Sequence, residues 1–165
     1  MKKAIPLFIG CLLLVGLNWT IWGHEQTLKT GETLFLKLAP VDPRSLMQGD
    51  YMRLAFAIER TIDKKNSLSQ PKTGRLIITT DENNIGKFID FYRDQPLTEN
   101  QKTIRYSKSR WRGTSINIEP RSFFFQEGHA KHYEQAKYGV FKYKDGHTYL
   151  LEALADENQT IITPR

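Results

Sequence analysis

The sequence predicts a mainly β fold, an antiparallel sheet or barrel-like domain with one or two short helices, attached to one N-terminal transmembrane helix. An apolar run near the N-terminus is long enough for a helix that crosses a bilayer. In the rest of the chain, several short segments alternate apolar and polar residues, which is the period of a strand with one buried face. These segments do not alternate with long helical patterns, so parallel βαβ units are not expected.

The apolar run covers residues 4–22 and follows Lys2 and Lys3. As a helix it would be about 29 Å long, close to the roughly 30 Å hydrocarbon core of a bilayer. Basic residues before the run and a neutral-to-acidic exit after it predict a cytoplasmic N-terminus. We therefore expect residues 1–23 to form a signal anchor in the membrane.

Three alternatives to a permanent anchor are less well supported. A cleaved secretory signal needs small residues before the cut, and residues 19–24 offer no site of the A-x-A kind. A lipoprotein signal would use Cys11, but Phe8 is unfavourable three residues before it and the apolar run continues beyond it. A buried core helix normally shows a polar stripe, which residues 5–15 lack.

We predict that residues 24–30 form a polar linker. Residues 31–165 are predicted to form one extracytoplasmic β domain, since this length suits a single core. Cys11 is the only cysteine, so the domain has no disulfide. The net charge of +6 is not concentrated on a helix, which argues against nucleic acid. It favours anionic headgroups or an acidic partner.

The strand predictions follow the alternation along the chain. Leu34, Leu36 and Leu38 predict a first strand that ends at Pro40, and residues 52–58 predict a second that starts after a bend at residues 49–50. Residues 85–92 fit both helical and strand spacing, and we favour a strand paired back through residues 81–84. The other predictions are a loop at 63–73, strands at 76–80, 103–112 and 116–118, a central strand at 122–125, a short helix at 130–136, a hairpin of 140–143 with 149–154, and an edge at 160–163.

Residues 38–56 resemble the defining block of the GDYXXLXY family of uncharacterised bacterial membrane-anchored proteins. Gly49, Asp50, Tyr51 and Leu54 match the motif of the name, and Phe56 replaces its last tyrosine. The C-terminal half is also similar to the family in residues 110–112, 122–128, 133, 136–139 and 146. The resemblance implies a single-pass anchor in the bacterial inner membrane, a periplasmic domain, and a multi-pass membrane protein in the same bilayer as a partner.

Function follows less directly from these blocks. We expect an accessory or interaction subunit of a membrane complex that is not an enzyme, with the lipid bilayer as one partner. The alternative is an envelope enzyme or ligand-binding domain in which Asp50 and Glu127 act as acid and base or bind a ligand, with arginines nearby. The motif and possible binding residues are Asp42, Arg44, Gly49, Asp50, Tyr51, Leu54, Arg110, Arg112, Glu127 and Gly128.

Other constellations are weaker. His129 and His132 have a spacing that one helical turn brings to one face, but two histidines are more often a solvated pair than a metal site. We expect no metal and no cofactor. The aromatic residues make up 12% of the chain, more than a small β core needs, and a subset near the basic strand 102–112 is a possible docking face.

Overall fold

The structure is a computed structural model that describes residues 4–40, 47–48, 51–62, 67–109, 115–144 and 148–164. Its helices include α1 Ala4–Thr30, α2 Ile58–Thr61 and α3 Ala130–Tyr133. Its strands are β1 Glu32–Lys37, β2 Met47–Gln48, β3 Tyr51–Arg53, β4 Thr73–Thr80, β5 Gly86–Phe91, β6 Gln101–Lys108, β7 Ile116–Ile118, β8 Ser122–Phe124, β9 Tyr138–Lys144 and β10 Thr148–Ala155.

These strands form three antiparallel sheets, which confirms the mainly β fold. The strand orders are β1-β9-β10, β2-β3-β8 and β5-β4-β6-β7. The alternating apolar residues of each sheet turn towards one shared core. Its fully buried members are Leu34, Leu36, Phe56, Leu76, Ile78, Ile104, Ile118, Phe141 and Leu154.

Two kinds of contact join the β1-β9-β10 sheet to the β5-β4-β6-β7 sheet. At one edge, Phe35 donates its N–H to the Asn84 carbonyl at 2.9 Å. Elsewhere, the hydroxyls of Tyr143 and Tyr149 accept the N–H groups of Thr103 and Arg105, at 2.7 and 2.8 Å. The two tyrosines are direct partners in the β9–β10 pair, so one pair of side chains satisfies two backbone donors of β6.

Residues 85–92 form a strand, as favoured over a helix. β5 pairs with β4 across the turn at residues 81–84. The Asp81 carboxylate accepts the N–H groups of Asn83 and Ile85 at 3.0 and 2.9 Å, which is the local bonding that suits aspartate in turns. Asn84 has a φ of 57°, a left-handed conformation that asparagine tolerates.

The strand predicted at residues 52–58 is wrong in extent but right in burial. Met52, Leu54, Phe56 and Ile58 are all buried, yet β3 ends at Arg53 and α2 begins at Ile58. Between them, the chain makes single backbone hydrogen bonds and an isolated bridge at Phe56. Alternating burial therefore continues through an extended segment that lacks a regular ladder.

The prediction that residues 122–125 form a central strand is wrong. Among the described strands, β8 lies at an edge, since its sheet has the order β2-β3-β8. Phe124 is 75% exposed, whereas Phe123 and Phe125 pack against Tyr133 of α3 with centroids 5.2 Å apart. Aromatic side chains on both faces of a segment therefore did not indicate burial on both faces.

The C-terminal predictions agree better with the structure. The short helix is α3, and the hairpin is the antiparallel β9–β10 pair, although its turn at residues 145–147 lies outside the described residues. Ile161 bridges Ala155, and Ile162 donates its N–H to the Leu154 carbonyl at 2.9 Å. The predicted edge at 160–163 is thus a single bridge.

Helix α1 runs through residues 24–30, the segment predicted as a linker, and Gly31 connects it to β1. Its last turns contact β9 and β10, and Thr27 is only 3% exposed. The apolar side chains that precede this contact are exposed: Ile9, Leu12, Leu13, Leu14, Val15, Leu17, Trp19, Ile21 and Trp22. None of the helices in the described part of the chain is long and apolar enough to cross a membrane.

Candidate functional site

Six of the ten predicted motif and binding residues lie outside the described residues. They are Asp42, Arg44, Gly49, Asp50, Arg110 and Arg112. The expected meeting of Asp50 with Glu127 and the arginines therefore stays a prediction. The structure does place the other four residues, Tyr51, Leu54, Glu127 and Gly128.

Tyr51 and Leu54 have different positions within the motif block. Leu54 is 4% exposed in the core, and its N–H donates to the Arg121 carbonyl at 2.7 Å. Tyr51 is directly opposite Phe124 in the β3–β8 pair, and the two rings are 5.8 Å apart. The tyrosine of the motif therefore shares a sheet face with an aromatic side chain that is open to solvent. We call Tyr51 and Phe124 the aromatic pair.

Glu127 and Gly128 lie in the turn between β8 and α3. Both are exposed, and Gly128 has a φ of 85°, a conformation that glycine adopts without strain. The rings of His129 and His132 meet edge to face at 5.7 Å. Among the described side chains, no group of three metal-ligating residues occurs. Glu127 and Gly128 thus belong to a turn at the surface of the molecule.

A cavity of about 470 Å³ adjoins the motif block. Met52, Arg53 and Ala55 form one wall, and Tyr138 and Lys137 form another. Its charged lining residues have both signs: Lys37, Arg53, Glu134, Lys137 and Glu157.

A second cavity, of about 580 Å³, lies between α1 and the β domain. We call it the arginine cavity. It is lined by His24 of α1, by Arg75 and Arg105, by the segment Glu119, Pro120 and Arg121, and by Tyr149, Leu150 and Leu151 of β10. Three guanidinium groups thus line it together with a single carboxylate.

The arginines of this cavity lie close together by register. Arg75 and Arg105 are direct cross-strand partners in the β4–β6 pair, which brings their Cβ atoms to about 5 Å. No ion pair between described residues includes Arg75, Arg105 or Arg121. Like charges directly opposite each other on a sheet repel, and the three arginines outnumber Glu119, the one acidic residue that lines the cavity.

Burial raises the pKa of two groups near the cavity, Tyr149 and Glu59. Burial raises the pKa of Tyr149 to about 12, so its hydroxyl stays protonated at neutral pH. Burial also raises the pKa of Glu59, against the lowering effect of the Ile118 N–H and of the Arg121 charge. The Ile118 N–H donates to the Glu59 carboxylate at 2.7 Å.

Sequence reasoning did not find the arginine cavity. It marked residues 102–112 as a basic strand, which includes Arg105, but it did not pair that strand with Arg75. The register between β4 and β6 depends on how the whole sheet folds, so sequence spacing does not reveal which arginines meet. In the sequence, Arg75 adjoins the apolar run 76–78, and Arg105 is one of several basic residues in the strand 102–112, so neither arginine stands out.

The fold and its surfaces define a class of protein: a β domain without disulfides, carried on an N-terminal helix with exposed apolar side chains. A family comparison is more specific, because the model of the GDYXXLXY protein family matches residues 13–154. The chain therefore belongs to the GDYXXLXY family. No curated protein and no solved structure was found to match it.

Proposed function

We propose that this chain is a membrane-anchored, extracytoplasmic accessory subunit of a bacterial inner-membrane complex, which acts by binding and not by catalysis. The observation that carries the proposal is the exposed apolar surface of α1. Leu12, Leu13, Leu14 and Val15 are each at least 60% exposed and are consecutive, so they surround the helix. Such a surface needs an apolar environment on all sides.

The orientation follows from the ends of the apolar run. Lys2 and Lys3 precede the run, and lysines mark the cytoplasmic side. Trp19 and Trp22 are exposed near its other end, where tryptophan suits the headgroup layer. This arrangement leaves the β domain outside the cytoplasm.

The anchor is tested by alkaline carbonate extraction of membranes that contain the full chain. We expect the wild-type chain to remain in the pellet. The double variant Leu13→Arg with Leu17→Arg should be released, since arginine at the centre of a span costs about 2.5–3.5 kcal/mol. The control is Leu68→Arg with Ile161→Arg, because these leucine and isoleucine side chains are also exposed but belong to the β domain. Release of the wild-type chain would rule out the anchor.

The aromatic pair is the surface that we assign to a multi-pass membrane partner. Phe124 is 75% exposed beside the tyrosine of the family motif, and aromatic residues are enriched at interaction surfaces. A photo-reactive phenylalanine analogue at position 124 should cross-link one multi-pass membrane protein reproducibly in native membranes. The same analogue at position 89, which is exposed on β5, is the control. Equal products from both positions would contradict the assignment.

The second candidate function is an envelope enzyme or ligand-binding domain that uses Asp50 and Glu127. Its support is that both carboxylates lie in the family-like blocks of the sequence. The combined variant Asp50→Ala with Glu127→Ala distinguishes the two functions. Under the accessory reading, the variant keeps its fold and still cross-links its partner through position 124. A folded variant that loses a measurable turnover would instead establish the enzyme.

A further inference from the structure

We infer that the arginine cavity binds the phosphodiester headgroup of an anionic lipid. This inference rests on the proposed membrane anchoring, because it needs the cavity to lie at the bilayer surface. The bound chemistry is a singly charged phosphate with two free oxygens. Three arginines, two apolar side chains and the position of α1 support this assignment in different ways.

The residues that line the cavity carry more positive than negative charge. Arg75, Arg105 and Arg121 line it with only Glu119 as an acid, and the described residues supply no ion pair to any of the three. The Arg75–Arg105 register places two like charges directly opposite each other, an arrangement that costs stability and that a bound anion would relieve. Guanidinium forks match the paired oxygens of a phosphate.

Tyr149 adds a hydroxyl to the same cavity. Its oxygen accepts the Arg105 N–H at 2.8 Å, while the Arg105 carbonyl that its proton can reach is 3.5 Å away. Because the two oxygens are that far apart, the hydrogen bond from the Tyr149 hydroxyl is weak. The hydroxyl can therefore rotate and donate to a ligand oxygen instead. The cavity therefore offers a neutral donor beside the charged ones.

The location of the cavity favours a lipid over a soluble phosphate. His24 of α1 lines it and follows Trp22 by two residues, which is about 3 Å along the helix axis. Tryptophans at the end of a span lie at headgroup level, so the cavity opens at that level. Leu150 and Leu151 also line it, and they suit the glycerol and upper acyl region of a lipid.

Native mass spectrometry of the full chain in a neutral detergent tests the inference. The probes are phosphatidylglycerol and phosphatidylcholine with identical acyl chains, each added in equal amounts. We expect the wild-type chain to bind phosphatidylglycerol in preference to phosphatidylcholine, because choline cancels the phosphate charge. Arg105→Gln with Arg121→Gln should weaken phosphatidylglycerol binding by about tenfold or more, since it removes two charged donors.

The matched control removes the same charge elsewhere. Arg93→Gln with Lys131→Gln alters two exposed cations outside the cavity and should bind phosphatidylglycerol like the wild type. Near-UV circular dichroism checks that each variant is folded. If the double variant of Arg105 and Arg121 is not folded, the single variant Arg105→Gln replaces it in the binding measurement. The inference is overturned if the cavity variants bind as tightly as the control, or if both lipids bind equally.

Two further measurements distinguish a lipid from a soluble phosphate as the ligand, and distinguish failure of this inference from failure of the proposed membrane anchor. Added inorganic phosphate should not displace phosphatidylglycerol; displacement would identify a soluble phosphate as the ligand and overturn the lipid assignment. Carbonate extraction tests the anchor independently of the arginines. A chain that stays in the membrane but shows no arginine-dependent lipid binding refutes this inference and leaves the proposed function intact.

Discussion

Single hydroxyl groups link the sheets of this domain. Tyr143 extends from β9 to the Thr103 N–H, and Lys102 lies 5.3 Å from the centre of the same tyrosine ring. Thr103 is 1% exposed, so water does not readily replace the phenolic oxygen. Tyr143 and Tyr149 of the β9–β10 hairpin thus have two roles: their rings pack in the core, and their hydroxyls accept backbone N–H groups of β6.

Tyr143→Phe should lower the free energy of unfolding by about 1–3 kcal/mol, because it leaves a buried N–H without its partner. Denaturant unfolding of the full chain in detergent measures the change. Tyr138→Phe is the control, because the described residues offer its hydroxyl no hydrogen bond and its ring packs on Phe35. It should change stability by less than about 0.5 kcal/mol. Equal effects of the two variants would contradict the assigned bond.

Glu59 should make the fold less stable as the pH rises from acidic to neutral. Its pKa in the folded chain is raised by burial, so the folded state holds this proton more tightly than the unfolded state does. The stability it contributes is present below the unfolded pKa and is lost as the pH rises through the folded pKa. Glu59→Gln keeps an oxygen for the Ile118 N–H and should remove this loss.

The pH dependence of the free energy of unfolding measures this effect. Between mildly acidic and neutral pH, the Glu59→Gln variant should lose less stability than the wild type. Glu127→Gln removes the same charge at an exposed position and serves as the control. Parallel profiles for the wild type and the Glu59 variant would refute the role of burial.

At the scale of elements, α1 and β1 are connected without a flexible segment. Glu25 and Lys29 pair one turn apart at 3.5 Å, and Thr27 and Thr30 donate their hydroxyls to the Gly23 and Gln26 carbonyls. These contacts keep a polar segment helical. A Glu–Lys pair at this spacing is readable from sequence, yet the polarity of residues 24–30 led us to expect a linker.

Gly31→Ala should destabilise this junction. A Cβ at Gly31 would overlap the Thr27 carbonyl oxygen, which belongs to the helix backbone and cannot turn away. We expect a loss of about 1–3 kcal/mol, as for other overpacked sites. Thermal unfolding of the full chain in detergent, followed by near-UV circular dichroism, measures it. Gly23→Ala has open space around its Cβ and should not lower the unfolding temperature.

The sequence predicted those parts of the fold that depend on local pattern. Alternation placed Leu34 and Leu36 in the core, and Asp81 marked the turn that pairs β4 with β5. It could not show that β8 is an edge strand, because edge or centre depends on which strands lie beside it. The Arg75–Arg105 register could not be predicted for the same reason, because it also depends on which strands pair. The family motif could be recognised because its residues are contiguous in the sequence.

At the scale of the whole molecule, one helix carries one β domain on the outer face of the membrane in our proposal. Cys11 is the only cysteine of the chain, so a cysteine placed elsewhere reports on a single position once Cys11 is replaced. Lys131 is exposed on α3 and is suited to labelling.

Cys11→Ser combined with Lys131→Cys should react with a membrane-impermeant maleimide in intact spheroplasts. The reaction is expected because the proposed N-in orientation places the β domain outside the cytoplasm. A cysteine inserted directly after Met1 in the Cys11→Ser background is the control, and it should react only after the membrane is opened. The reverse pattern would show that the chain has the opposite orientation.

The direct connection of α1 to β1 through Gly31 also has a mechanical consequence. Because only Gly31 separates α1 from β1 and α1 also contacts β9 and β10, a change in the tilt of α1 moves the β1-β9-β10 sheet with it. The displacement of a residue in the β domain then increases with its distance from the point about which α1 tilts. In the proposed membrane arrangement, a partner that pulls on the aromatic pair would therefore tilt α1 within the lipid layer.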